Sequence, residues 1–314
     1  MNKIALTIGD PNSISPEIVI KALNKLNLPE ENIILIANKT IFDFYKDNYS
    51  LALEKEYHIE EIPYKIEDIR ISHETKESGD FVFNALKRAC ELANTNKIQA
   101  IVTGPISKHS LNLAGHHYSG QTEIIEKYTK RDGQKAEMLF VMNKIRILLL
   151  TRHIALKDVP ATITKDFLVE KIERLHKELQ TKFKIKNPKI ALCSLNPHAG
   201  EQGLFGLEEQ KAYIPAINLL KQKGINIKGP FPSDGLFYKL SKEVNQPQYD
   251  CYVASYHDQG LIPVKLLGLD LTVNTTIGLD KLRTSPAHGT AFDIAGQLCA
   301  KENSMIEAIK LAIN

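Results

Sequence analysis

Apolar residues recur along the chain in short unbroken runs, most of them closed by turn formers such as Gly, Pro, Asn, Asp or Ser. Runs of about four to eight such residues read as buried strands. They fall at residues 3–8, 32–37, 99–103, 189–193, 251–254 and 271–274. Apolar positions three and four apart predict helices over 16–26, 78–94, 124–129, 165–182, 207–222 and 304–313. Pro16 suits the first turn of its helix. Thr40 reads as the cap of another, and Gly224 as the stop after 207–222. Residues 136–143 and 144–150 read as two strands joined by a tight turn. That hairpin breaks strict β-α alternation and predicts an α/β fold with a mixed, mostly parallel sheet. Residues 229–234 read as a loop whose Asp234 caps the next turn, and 286–296 as a Gly-rich turn opening a helix. No internal repeat or low-complexity linker is present.

At 314 residues the chain can bury one large core or two medium ones. The formal charge of +3 is small, with basic residues scattered among acidic ones. A nucleic-acid partner, which calls for a basic stripe, is therefore not expected. No apolar run approaches the ~20 residues of a membrane span. The opening residues already read as a strand, without a signal-peptide pattern. Cys90, Cys193, Cys251 and Cys299 are far apart, in apolar contexts and without a Cys-x-x-Cys. They read as reduced core residues, which points to the cytoplasm.

Three strand-like runs end in a histidine. Residues 146–150 lead to His153, 189–193 to His198 and 251–254 to His257. Neutral imidazole is a common zinc ligand, and three protein ligands leave the open position of a catalytic site. Asp258 and Glu201 are natural supporting partners. A second set is cationic: Lys108, Lys265 and Arg283 lie in or near turns beside small or polar residues. Lys supplies a point charge and Arg a fork that matches phosphate. No Gly-x-Gly-x-x-Gly follows the first strand and no Walker motif is present, so a Rossmann site is excluded.

The motifs Thr7-Ile-Gly-Asp-Pro11, Val102-Thr-Gly-Pro-Ile-Ser-Lys108, Leu195-Asn-Pro-His-Ala-Gly-Glu201, Tyr256-His-Asp-Gln-Gly260 and Asn274 through Arg283-Thr-Ser285 to His288-Gly-Thr290 span the chain. In these the sequence resembles the 4-hydroxythreonine-4-phosphate dehydrogenases. The resemblance implies an isocitrate dehydrogenase-like fold with two α/β/α domains and the active site in the cleft between them. Residues 1–120 with 285–314 would form the first domain and 121–284 the second. It implies one divalent metal (zinc, cobalt or magnesium) on His153, His198 and His257, in a homodimer whose partner lends His257. Substrate contacts carry over to Gln121, Thr122, Lys265, Asn274 and Arg283. NAD or NADP would meet the turn at His288, Gly289, Thr290 and Asp293. The implied reaction oxidises 4-phosphooxy-L-threonine to a β-keto acid that loses CO2 to give 3-amino-2-oxopropyl phosphate, on the way to pyridoxal phosphate. Asp234, Asp258 and a metal-bound water are the candidate general bases.

Two departures stand out. Gln121-Thr122 replaces the usual His-Thr, and Gln carries no proton at neutral pH. Asn12-Ser13-Ile14-Ser15 stands where Ala-Gly-Ile-Gly is usual, which alters how closely a backbone can approach a ligand. A dehydrogenase of another 4-phosphorylated hydroxy acid, of the 4-phosphoerythronate type, is the nearest alternative. A phosphate acyltransferase shares the general fold and needs no metal site. A hydrolase with Glu201 as base leaves the 288–290 turn unexplained, and a phospho-ligand binding protein predicts binding without turnover.

Overall fold

The computed structural model describes residues 3–313. Its strands are β1 (Ile4–Thr7), β2 (Ile33–Ala37), β3 (His58–Glu61), β4 (Ala100–Thr103), β5 (Glu137–Met142), β6 (Ile145–Leu149), β7 (Ile190–Cys193), β8 (Ile227–Phe231), β9 (Cys251–Ala254), β10 (Val273–Ile277) and β11 (Leu282–Pro286). Its α-helices are α1 (Ser15–Lys25), α2 (Lys39–Tyr49), α3 (Lys76–Asn94), α4 (Lys108–Leu113), α5 (Gln121–Thr129), α6 (Val159–Thr162), α7 (Lys165–Thr181), α8 (Ile214–Gln222), α9 (Ser233–Lys242), α10 (His257–Gly268) and α11 (Asn303–Ile313). Two compact units result, one of residues up to Ala136 and from Val273 onward, the other Glu137–Thr272. The change-over points differ from the 120/121 and 284/285 read from the sequence. Helix α5 packs on α3, and β10 and β11 pair into the first sheet, so both segments stay with the first unit.

In the first unit the strand order is β3-β2-β1-β4-β11-β10. All neighbours are parallel except β10 and β11. Every residue of β1, β2 and β4 is buried, which requires cover on both faces and explains their unbroken apolar runs. Helix α3 packs on β1, β2 and β4, and α11 on β4, β10 and β11. The cap of α2 is Asn38, not Thr40: the Asn38 side chain accepts from the Thr40 amide. β11 has no apolar period to reveal it, yet four of its five residues are buried. No helix opens at 288; a short 3-10 turn at Phe292–Ile294 follows Ala291, whose φ of 41° a right-handed helix cannot use.

In the second unit the order is β5-β6-β9-β7-β8, parallel except for the β5–β6 hairpin. The hairpin turns at Asn143, at φ 52°. β8 and α9 occupy the stretch read as a loop, and Asp234 sits inside the first turn of α9 without capping it. α10 starts just past the exit of β9 and carries Lys265, which was read as in or near a turn; Pro263 lies inside it. Under α7, Lys171 Nζ donates to the Leu149 and Leu150 carbonyls, 3.2 and 2.6 Å away, and pairs with Glu137 at 2.6 Å. Glu137 also binds Arg174, so this buried ion pair is satisfied on all sides.

Cys90, Cys193 and Cys251 are buried free thiols, as read, but Cys299 is exposed. No helix among the described residues is long and apolar enough to cross a membrane.

Candidate active site

Strands β6, β9 and β7 are consecutive parallel neighbours, so their C-terminal ends share one edge of the second sheet. His153, His257 and His198 follow those ends. The exits of β6 and β9 are tied together: the Leu150 and Thr151 amides donate to the Ala254 and Ser255 carbonyls, and Thr151 Oγ1 donates to the latter at 2.8 Å. This brings the His153 and His257 rings to 5.8 Å between centroids. They line a cavity of 360 Å³ with Arg152, Tyr256 and Asp258. His257 heads α10, and its Nδ1 lies 2.7 Å from Asp258 Oδ1. That contact leaves Nε2 as the atom available to a ligand.

His198 opens on a neighbouring cavity of 270 Å³ with Asn196, Asp234 and Gln259. Tyr256 lines both cavities, while His198 lines only the second. Among the described residues no group of three His, Cys, Asp or Glu side chains is placed to hold a metal ion. One chain therefore does not complete the expected three-imidazole site by itself. Lys265 is exposed on α10, about two turns past His257, and lines neither cavity.

The turn that carries His198 is unusual. Residues 198–202 take φ values of 52°, 55°, 79°, 40° and 57°, left-handed throughout, and only Gly200 is glycine. Each non-glycine residue there costs about 1–2 kcal/mol, so surrounding contacts must hold it. A Cβ at Gly200 would lie 2.7 Å from Glu209 Oε2, so a side chain there would displace that carboxylate.

The first unit gathers the substrate candidates. Arg283 is a buried residue of β11, not of a turn, and only 3% of its surface is exposed. Its Nε and Nη2 donate to Thr103 Oγ1 at 3.0 and 2.7 Å. Burial pulls the guanidinium pKa down to about 10, and Glu123 pulls the other way. No carboxylate lies within ion-pair distance of Arg283 among the described residues. Asn274 is the cross-strand partner of Ser285, two residues from Arg283, so all three side chains share one face. Asn274 Oδ1 is buried without a hydrogen bond.

Gln121 and Thr122 form the first turn of α5, three residues ahead of the helix start expected at 124. Gln121 Nε2 donates to the Gly104 carbonyl at 3.1 Å, leaving Oε1 buried and unpartnered. Thr122 is buried; Lys108 is exposed at the start of α4.

At 288–293, His288 Nδ1 meets the Gly289 carbonyl and the Thr290 carbonyl accepts from the Ile14 amide. His288 Nε2 is buried without a partner, while Asp293 is exposed. The altered N-terminal turn is closed by its own side chains. Asn12 accepts from the Arg70 amide and donates to the His73 carbonyl and Thr75 Oγ1. Ser15 fills the space that a Cβ on Gly9 or Gly104 would need.

The chain matches the family described as pyridoxal phosphate biosynthetic protein PdxA over residues 6–312. It belongs to the PdxA family. A 4-hydroxythreonine-4-phosphate dehydrogenase of a Sulfurihydrogenibium species is 37% identical over 100% of this chain and 98% of its own. A D-threonate 4-phosphate dehydrogenase of Cupriavidus necator is 36% identical over 98% of this chain and 95% of its own. The solved 4-hydroxythreonine-4-phosphate dehydrogenase of Klebsiella pneumoniae superposes with a TM-score of 0.85 at 33% identity, covering 99% and 98% of the two chains. Within this PdxA chain the sequence reading missed Thr103, Tyr256, Gln259 and Glu209. Glu209 had left a trace at Gly200 alone, where a Cβ would meet its carboxylate; a Cβ at Gly206 would meet Asn196 and Glu208 instead.

Proposed function

We propose that this chain is a nicotinamide-dependent dehydrogenase of a 4-phosphorylated hydroxy acid, 4-phosphooxy-L-threonine first. Arg283 is the observation that carries the reading. A guanidinium has five N–H donors, and two are spent on Thr103. A buried cation with no carboxylate partner is costly unless an anion joins it, and a phosphate suits its fork. Gln121 Oε1 and Asn274 Oδ1 are acceptors in need of donors, which a substrate ammonium or hydroxyl supplies.

In the reaction the carbinol C–H leaves as hydride and the O–H proton passes to a base, giving a ketone. The resulting β-keto acid loses CO2, and its enolate takes up a proton. NAD or NADP, bound at the turn of His288, Gly289, Thr290 and Asp293, supplies the hydride acceptor. Asp258 and Asp234 remain the candidate bases, each on a cavity with a histidine. The divalent ion on His153, His198 and His257 requires, under this proposal, a homodimer in which a second copy lends His257.

A second reading has D-threonate 4-phosphate as substrate. The Cupriavidus necator relative favours it. The test assays both phosphorylated acids, and their dephosphorylated forms, with NAD and NADP. Reduced cofactor should appear only with a phosphorylated acid; equal rates without the phosphate would reject the role of Arg283.

A further inference from the structure

Glu209 is a carboxylate with only 2% of its surface exposed. Its Oε1 accepts from the Leu195 and Asn196 amides at 2.9 and 2.8 Å, and Oε2 from Asn196 Nδ2 at 2.9 Å. These three donors sit at the exit of β7, immediately before the left-handed turn of His198. The far side of that turn is held by its own backbone: Phe205 and Leu204 amides donate to the Gly200 and Glu201 carbonyls. The near side is held by Glu209.

Glu209 opens a single π-helical turn, Glu209–Tyr213, that leads into α8. The other end of that turn reaches the neighbouring strand exit. Tyr213 Oη lies 2.8 Å from Ser255 Oγ, and Ser255 Oγ reaches the Ser194 carbonyl at 3.4 Å. Gln259 closes the loop: its Nε2 donates to the Ser194 carbonyl at 2.8 Å and its Oε1 accepts from the Ser255 amide at 2.6 Å. His257 sits between Ser255 and Gln259. One buried brace thus fixes the segments bearing His198 and His257. The π-turn widens the helix at the point where Glu209 meets one strand exit and Tyr213 the next.

We infer that Glu209 is a positioning residue: by holding the Leu195–Asn196 backbone it sets where the His198 imidazole stands during the dehydrogenase reaction. It touches no reacting atom in this scheme, and it acts through the turn. A neutral oxygen acceptor would not fully replace it, because a charged acceptor holds its N–H donors about twice as strongly. The inference rests on the proposed function only for its kinetic half.

The test compares the full chain with Glu209→Ala, Glu209→Gln and, as reference, His198→Ala. Amide exchange over residues 195–205 is followed by mass spectrometry, with 190–193 and α7 as internal controls. Turnover is followed with 4-phosphooxy-L-threonine and D-threonate 4-phosphate. In Glu209→Ala, exchange over 195–205 should rise about tenfold while the controls stay unchanged. Its kcat should fall by about 100-fold with the KM for the cofactor unchanged, since a small misplacement suffices for such a loss. Glu209→Gln, which keeps one acceptor, should recover part of both, and it decides the matter if Glu209→Ala does not fold. Wild-type exchange over 195–205 in both variants would overturn the inference. So would loosened exchange with wild-type kcat, provided His198→Ala is inactive. If His198→Ala is fully active, or the wild type turns over neither acid, the proposed function fails instead, and exchange alone then decides whether Glu209 holds the turn.

Discussion

Arg283 carries its charge where water scarcely reaches it. Its only hydrogen-bond partner among the described residues is a threonine hydroxyl. A folded chain tolerates this when the charge is completed by what it binds. Arg283→Ala should therefore raise the KM for the phosphorylated substrate by about 100-fold and leave cofactor KM nearly unchanged, measured by initial rates. Equal losses for both would remove Arg283 from the phosphate role. Asp10 gives a second prediction of this kind. It is fully buried, and burial raises its carboxyl from 3.8 to about 6, against the lowering effect of bonds to the Asn12 amide and Ser78. Between those two values the folded chain keeps a proton that the unfolded chain has released. Stability therefore falls as pH rises through about 4 to 6 and stays lower above. Asp10→Asn keeps an acceptor for the Asn12 amide and cannot ionise. Its stability relative to wild type should improve by about 2 kcal/mol between pH 4 and pH 7 in urea titrations. A constant difference would contradict the assignment. At this scale the sequence displayed the chemistry-bearing side chains but not their partners. That Arg283 reaches Thr103 across 180 positions is a consequence of strand pairing, which one sequence does not print.

Elements with an apolar period were legible: β1, β2, β4, β7 and β9, the β5–β6 hairpin, and α1, α3, α7 and α11. Those without one were not. β11 is buried but polar, because its side chains bond to neighbouring elements, as where Thr284 Oγ1 donates to the Ala308 carbonyl. α10 was hidden by Gly260 and Pro263, and α9 by the prolines that precede it. The left-handed turn at 198–202 follows no propensity at all; it exists because its ends are held. The exit of β6 has a comparable anchor in Lys171, which holds the Leu149 and Leu150 carbonyls just ahead of His153. Lys171→Met should cost about 3 kcal/mol in urea denaturation by leaving buried acceptors unmet. Loss below 1 kcal/mol, about the worth of an exposed pair, would show that the anchor is dispensable.

For the whole molecule, the α/β class and the mixed, mostly parallel sheets were readable from alternation and the hairpin, whereas the unit boundaries were not. Boundaries depend on which helix a segment packs against, and α5 chose α3. The second unit exposes Leu204, Phe205, Tyr238, Ile262 and Leu266, from 49% to 82% of each side chain's surface. A proposed homodimer would cover such side chains. Sedimentation velocity should then give twice the chain mass of 35.3 kDa, and a monomer at working concentration would leave His257 with no second copy to serve. The central claim is that a buried, unpaired arginine recognises the phosphate of a hydroxy acid that this chain oxidises. Its most direct measurement is cofactor reduction by wild type and Arg283→Ala on 4-phosphooxy-L-threonine, D-threonate 4-phosphate and their dephosphorylated forms. Reduction only with a phosphorylated acid, at a KM about 100-fold higher in Arg283→Ala than in wild type, is the expected result. Reduction that ignores the phosphate, or survives intact without Arg283, would contradict it.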